Sequence, residues 1–217
     1  MKQLLKNNWL FYTLYLLAIV IAAIYLLSFD KITLHQKINS VVGNPLVDSF
    51  FKYFTNVGDG LLAILIGIVL LLFNIRNGLY VLVSHFISGS ISSVCKNYLF
   101  NYTRPFFTFD YYHKDIKIKY IEGVDYIGQF SFPSGHATTA FTVFTCLALM
   151  TTNKILKIIF LCFAIMAAYS RIYISQHWLV DIFAGSIIGI SVSTAMYFVF
   201  IKPNSFSDKL NRPFIQS

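Results

Sequence analysis

Three short clusters hold side chains suited to handling an anion. The first is KNYLFNYTRP, with Lys96, Arg104 and Pro105; the second is FPSGHATTAF, with Pro133, Ser134, Gly135 and His136. The third is SRIYISQHWLVD, with Ser170, Arg171, His177 and Asp181. PSGH reads as a helix start, since Pro suits a first turn and Ser caps it. The free backbone N–H groups and the positive dipole end there form an anion site, and Gly135 lets backbone approach a ligand closely. His136 at its edge is placed as a general acid. His177 and Asp181 are four apart and share a helix face. A carboxylate that accepts from one imidazole nitrogen fixes the tautomer and frees the other to attack or take a proton. Arg104 and Arg171 offer planar forks to phosphate oxygens, and Lys96 adds a point charge. The natural occupant of such a set is a phosphoryl group.

The elements that must position these residues are membrane helices. A span needs about 20 mainly apolar residues. Six stretches qualify as candidates: residues 9–28, 61–73, 79–96, 135–150, 155–169 and 178–201. The first is read as a retained anchor, and the second is short. The third is rich in Ser and Gly, and the last carries Gly185 and Gly189, a GxxxG pair that allows close helix packing. On six spans the three polar clusters fall at one membrane face, although the spans were placed from hydropathy alone. LVDSFFKYFTNV, between the first two spans, has helical apolar spacing suited to the membrane surface or to folding back. IKIKYIEGVDYIGQF, in the long connection 97–133, alternates and then meets Gly123, which predicts a small hairpin. It serves equally as a solvated face or a substrate-selecting lid.

Composition agrees. The 217 residues are 57% apolar and 12% charged, against about 25% charged in ordinary soluble domains, and mean hydropathy is +0.66. Disorder and a cytosolic globule are excluded. The formal charge of +8 forms no basic stripe, so a nucleic-acid partner is not indicated. With the N-terminus inside, the inner segments hold eight basic residues against one acid, and the outer segments nine against eight. This charge bias places both termini in the cytoplasm and the polar clusters outside. Cys95, Cys146 and Cys162 show no ligand spacing and read as buried small hydrophobes. No metal site or cofactor is expected. His35 and His113 read as solvated loop residues and His85 as a hydrogen-bonded packing residue. Trp9 and Trp178 read as interfacial anchors.

In order and spacing, the three clusters resemble the signature of the type 2 phosphatidic acid phosphatase (PAP2) superfamily: KxxxxxxRP, PSGH, SRxxxxxHxxxD. The second and third match at every defined position. The first departs, because seven residues rather than six separate Lys96 from Arg104. On a continuous helix that extra residue turns Lys96 by about 100°. The chain is expected to leave the helix before Arg104 and absorb the shift. The resemblance implies an all-α integral membrane protein of six transmembrane helices, with a PAP2/haloperoxidase-like core over about 56–201 in a single domain, 1–217. It implies a metal-independent phosphatase in which His177 is the nucleophile, Asp181 orients it, and His136 protonates the leaving oxygen and later helps activate water. Lys96, Arg104, Ser134, Gly135 and Arg171 would hold the phosphate.

The expected activity is removal of phosphate from a membrane lipid at the outer face of a bacterial inner membrane, with lipid A 1-phosphate favoured as substrate. Undecaprenyl diphosphate and phosphatidylglycerophosphate are alternatives. A phosphotransferase using the same site and a non-enzymatic lipid carrier are rival readings. Six apolar spans argue against a soluble haloperoxidase.

Overall fold

The computed structural model describes residues 2–214 as ten helices, with no strand among the described residues. Helix α1 (Lys2–Ser28) is mainly apolar from Trp9 onward and kinked at Asn8, where φ is −126°. The short α2 (Lys31–Asn39) starts at Asp30, whose carboxylate accepts the N–H groups of Ile32 and Thr33. Helix α3 (Pro45–Phe54) starts at an Asn44 cap followed by Pro45. A tight turn at Thr55–Gly58 leads into α4 (Gly60–Phe73), capped by Asp59 and bent 54° from the preceding helix. Helix α5 (Ile75–Val94) runs without a break into a π-turn at Cys95–Leu99. After the one-turn α6 (Pro105–Phe107) come α7 (Gly135–Met150), α8 (Lys154–Tyr173), α9 (Leu179–Phe200) and α10 (Ser205–Leu210).

The centre of the bundle is α7, of whose sixteen residues twelve are buried. Such a helix must pack on every side, and α5, α8 and α9 surround it. Its contact with α9 is backbone on backbone. A Cβ built on Gly185 would stand 2.8 Å from the Ser134 carbonyl oxygen, and one on Gly189 would stand 2.7 Å from that of Thr138. Hydroxyls satisfy the polar groups along this seam. Thr142 Oγ1 donates to the Thr138 carbonyl and meets Ser88 Oγ at 2.8 Å, while Tyr80 donates to the Ser193 carbonyl. Helix α1 enters this core only through Phe11 and its neighbours and leaves most of its surface exposed, as expected of a helix facing lipid. It is tied at its inner end, where the buried Lys157 ammonium donates to the Asn7 carbonyl and to Asn8 Oδ1. Further along, α1 and α2 stand off α8 and α9 around an apolar cavity of about 400 Å³.

All six expected apolar segments are helical. Four of the helices are individually long and apolar enough to cross a membrane: α1, α5 with its π-turn, α8 and α9. Helix α7 rises only about 24 Å at 1.5 Å per residue, and α4 only about 21 Å. The bent pair α3–α4 makes a fifth crossing if it is counted as one broken span.

Five local expectations are corrected. The hairpin is absent: Gly123 turns with φ +70°, but the chain before it pairs with a side chain instead of a strand. Asn39 gives and takes both bonds of a ladder rung, accepting from Lys119 N at 2.7 Å and donating to Lys119 O at 2.8 Å. His35 is buried, with Nε2 on Ser175 Oγ and its ring against Trp178 and Phe109. Trp178 is also buried, and its indole N–H donates to the Thr103 carbonyl; Trp9 is exposed, as an anchor would be. Of the cysteines, Cys146 is buried, Cys95 is half-buried and Cys162 is exposed on the outer surface of α8. His85 is half-buried, and its Nδ1 has no protein partner.

Candidate active site

The site forms at the end of the bundle where α5 and α8 finish and α7 and α9 begin. The end of α8 sets most of its geometry. The N–H of Ser175 bonds to the Ile172 carbonyl and that of Gln176 to the Arg171 carbonyl, which also accepts from His177 N at 3.1 Å. This is a Schellman closure, which needs a left-handed residue after the helix. Ser175 supplies it at φ 55°, a conformation that costs a non-glycine residue energy and so must be held by its surroundings. Its hydroxyl is held by His35 Nε2 at 3.1 Å. The turn fixes His177 relative to Arg171, which is what the five-residue spacing between them requires.

Asp181, in the first turn of α9, gathers three donors on one oxygen. Its Oδ2 accepts from Ser131 Oγ, from Trp178 N at 2.9 Å and from His177 Nδ1 at 3.2 Å. A carboxylate partner makes Nδ1 the protonated nitrogen and leaves the Nε2 lone pair free. Both side chains are almost wholly buried. Burial, with Arg104, Arg171 and Lys96 nearby, holds the His177 imidazole well below its ordinary range, so it is neutral at neutral pH. The Asp181 carbonyl accepts Ser134 N at 3.0 Å, which ties the start of α9 to the start of α7.

Ser134 caps α7 by accepting Ala137 N, and the first N–H groups of α7 have no acceptor within the helix. A Cβ placed on Gly135 would meet only Lys96 Nζ, at 3.8 Å. The glycine therefore opens a cradle between a helix N-terminus and an ammonium group. Arg104 is buried and oriented, with Nε on the Gln129 carbonyl at 3.0 Å and Nη1 on Gln176 Oε1 at 2.7 Å. Arg171 donates from Nη1 to Thr55 Oγ1 at 2.8 Å, while its buried Nε has no protein partner. A buried, unsatisfied guanidinium donor is costly and suits an anion. His136, less buried, points Nε2 at Asp59 Oδ2, 3.8 Å away.

All eight residues singled out in the sequence thus meet at one place. Lys96 arrives despite its extra residue because the helix opens into the π-turn at that point, with Phe100 N bonding to Cys95 O at 2.8 Å. The chain then leaves the helix, as expected, and reaches Arg104 through the non-helical residues 100–103, so no helical phase links the two cations. Sequence reasoning missed Asp59, Thr55, Ser131 and Gln176. Asp59 lies in NVGDG, read only as the lead-in to a span. Among the described residues no group of three His, Cys, Asp or Glu side chains is placed to hold a metal ion.

Residues 77–204 match the PAP2 superfamily. The chain belongs to that superfamily. Two solved structures lie close to it in shape. LpxE of Aquifex aeolicus superposes with a TM-score of 0.67 at 26% identity, over 78% of this chain and 96% of that one. The PAP2-type phosphatidylglycerolphosphate phosphatase of Bacillus subtilis does so with a TM-score of 0.63 at 20% identity, over 90% and 98%, a likeness of fold. In sequence, the undecaprenyl-diphosphatase of Sulfolobus acidocaldarius is 37% identical over 65 residues, 30% of this chain. That match spans 31% of the curated relative's length. The chain is accordingly an all-helical membrane protein of the PAP2 superfamily.

Proposed function

We propose that this protein is a membrane lipid phosphatase that works through a phosphohistidine. The observation that carries the reading is the buried His177–Asp181 pair facing three cations and the N-terminus of α7. His177 Nε2 attacks phosphorus, the P–O bond to the lipid breaks, and His136 protonates the departing oxygen. Water then attacks the phosphohistidine and gives a proton to His136; inorganic phosphate leaves and His177 is regenerated. Asp181 balances the positive charge that grows on His177 in the first step. Lys96, Arg104, Arg171, Ser134 and the Gly135 N–H hold the phosphate oxygens, and these fixed charges supply the stabilisation on which phosphoryl transfer mainly depends.

The six apolar helices are read as six crossings, with both termini cytoplasmic and the site facing the periplasm across a bacterial inner membrane. On this reading the short α7 starts below the outer surface of the bilayer, and a lipid phosphate reaches the site from the side. The substrate class is a lipid phosphate monoester or diphosphate, with lipid A 1-phosphate, undecaprenyl diphosphate and phosphatidylglycerophosphate as candidates. The resemblance to an undecaprenyl-diphosphatase and to a phosphatidylglycerolphosphate phosphatase supports that class.

The test is phosphate release from these three lipids by detergent-purified protein, with and without EDTA. Release unaffected by EDTA and abolished in His177→Ala is expected. Release that EDTA abolishes would contradict the mechanism. Mass spectrometry of the lipid products, with a second lipid supplied as acceptor, distinguishes hydrolysis from transfer between lipids.

A further inference from the structure

The set of eight residues leaves one neighbouring carboxylate unexplained. Asp59 does ordinary local work, since its Oδ1 accepts Leu61 N at 2.7 Å and caps α4. Its other oxygen, Oδ2, faces His136 Nε2 across 3.8 Å. That approach depends on the chain before it: a Cβ on Gly58 would stand 2.8 Å from the His136 carbonyl oxygen, so only glycine lets the turn sit against the start of α7. The side chains are 30% and 48% exposed for His136 and Asp59, so protons exchange there with water.

The charged and titratable groups around His136 make this carboxylate consequential. Lys96 comes from the π-turn, Arg104 from the segment before α6, Arg171 from the end of α8, and the His177 imidazole from the loop before α9. The dipole end of α7 adds further positive potential. His85 of α5 flanks Asp59 on its far side, its Nε2 lying 3.4 Å from a Cβ placed on Gly60. Asp181 is engaged by His177, Ser131 and Trp178. Among the described residues, Asp59 is the carboxylate within ion-pair distance of His136. An acid that must deliver a proton amid three cations needs an anionic neighbour to keep that proton.

We propose that Asp59 is a positioning residue for His136: its carboxylate fixes the ring with Nε2 turned away from the cradle, leaves Nδ1 to face the departing oxygen, and supports the protonated imidazole. The site then contains two His–Asp pairs of opposite sense. In one, Nδ1 is held and Nε2 attacks; in the other, Nε2 is held and Nδ1 gives the proton. The inference rests on the phosphatase reading above.

The experiment compares wild type, Asp59→Asn and Asp59→Glu on two phosphate monoesters in detergent, dioleoyl phosphatidate and 4-nitrophenyl phosphate. The alkoxide leaving group needs a proton and the nitrophenolate does not. Asn keeps the helix cap, so folding is preserved and checked by an unchanged melting temperature. For Asp59→Asn, kcat/KM on phosphatidate should fall by about tenfold or more, and the alkaline limb of its pH profile should move down by about one unit. The nitrophenyl ester should change by less than about threefold, and Asp59→Glu should recover part of the loss. Equal losses on both esters, or an unmoved alkaline limb, would overturn the role of Asp59 while leaving the phosphatase reading standing. A wild type inactive on every phosphate ester, the three lipids above included, would overturn both.

Discussion

Two histidine–carboxylate pairs stand at the same end of the bundle and are built differently. The deep pair, His177 and Asp181, is sealed, closes to 3.2 Å, and is braced by Ser131, the Trp178 N–H and the Schellman turn. The shallow pair, His136 and Asp59, spans 3.8 Å, is part-exposed and is formed by the edge of α4. The difference fits the roles proposed for the two histidines. A nucleophile has to be neutral, desolvated and fixed in one tautomer, so it is placed where backbone and hydroxyls leave it no freedom. A proton carrier has to exchange with water between the two halves of a reaction, so it sits where water reaches it.

Breaking the deep pair should have the largest effect. Asp181→Asn replaces a pure acceptor with a group that also donates, which unsettles the Nδ1–H tautomer of His177. By analogy with such a change in serine-protease triads, kcat is expected to fall by about 10³–10⁴, read as phosphate release and as loss of acid-labile phosphoprotein.

The next comparison separates framework from cradle. Gly189→Ala drives a Cβ to within 2.7 Å of α7 backbone and should destabilise the protein by about 1–3 kcal/mol, seen as a lower melting temperature in detergent. Gly135→Ala meets nothing closer than Lys96 Nζ at 3.8 Å. It should leave the melting temperature unchanged and weaken phosphate binding, measured as a raised inhibition constant for inorganic phosphate. If the two variants behaved alike, the distinction between packing and binding glycines would fail.

The smallest effect concerns the shell of the deep pair. Burial holds His35 at about 4, below its ordinary value near 6.5. The unfolded chain takes up a proton near pH 6.5 while the folded protein resists it down to about 4. Stability therefore falls as pH drops through that window and levels off below it, by on the order of 3 kcal/mol at most. His35→Gln should flatten the dependence of melting temperature on pH between 4 and 6.5.

The parts of the site that were legible in the sequence share a physical cause. Arg171, His177 and Asp181 are costly in an apolar helix bundle, so their presence at fixed spacing is informative without any knowledge of the fold. The helices themselves were legible from hydropathy, down to the short α4. What could not be read depends on contacts between distant segments. Asp59 meets His136, 77 residues later, only because Gly58 allows α4 to touch α7. His35 is buried by Ser175, 140 residues away, and nothing local distinguishes it from a solvated histidine. The alternation before Gly123 was real, but the rung it offered was taken by the Asn39 amide. The extra residue between Lys96 and Arg104 matters less than its count suggests, because residues 100–103 are not helical and the two side chains share no helical phase.

The close seam of Gly185 and Gly189 against α7 has a consequence for how this protein changes over evolutionary time. The helix bearing Asp181 and the helix begun by Ser134 and Gly135 share one backbone contact, so a substitution there alters folding and the geometry of the site together. Exposed positions among residues 110–127 and on the outward face of α1 take no part in that contact, so substitution there leaves it undisturbed. New lipid preferences can accumulate at those margins while the reacting groups stay where they are.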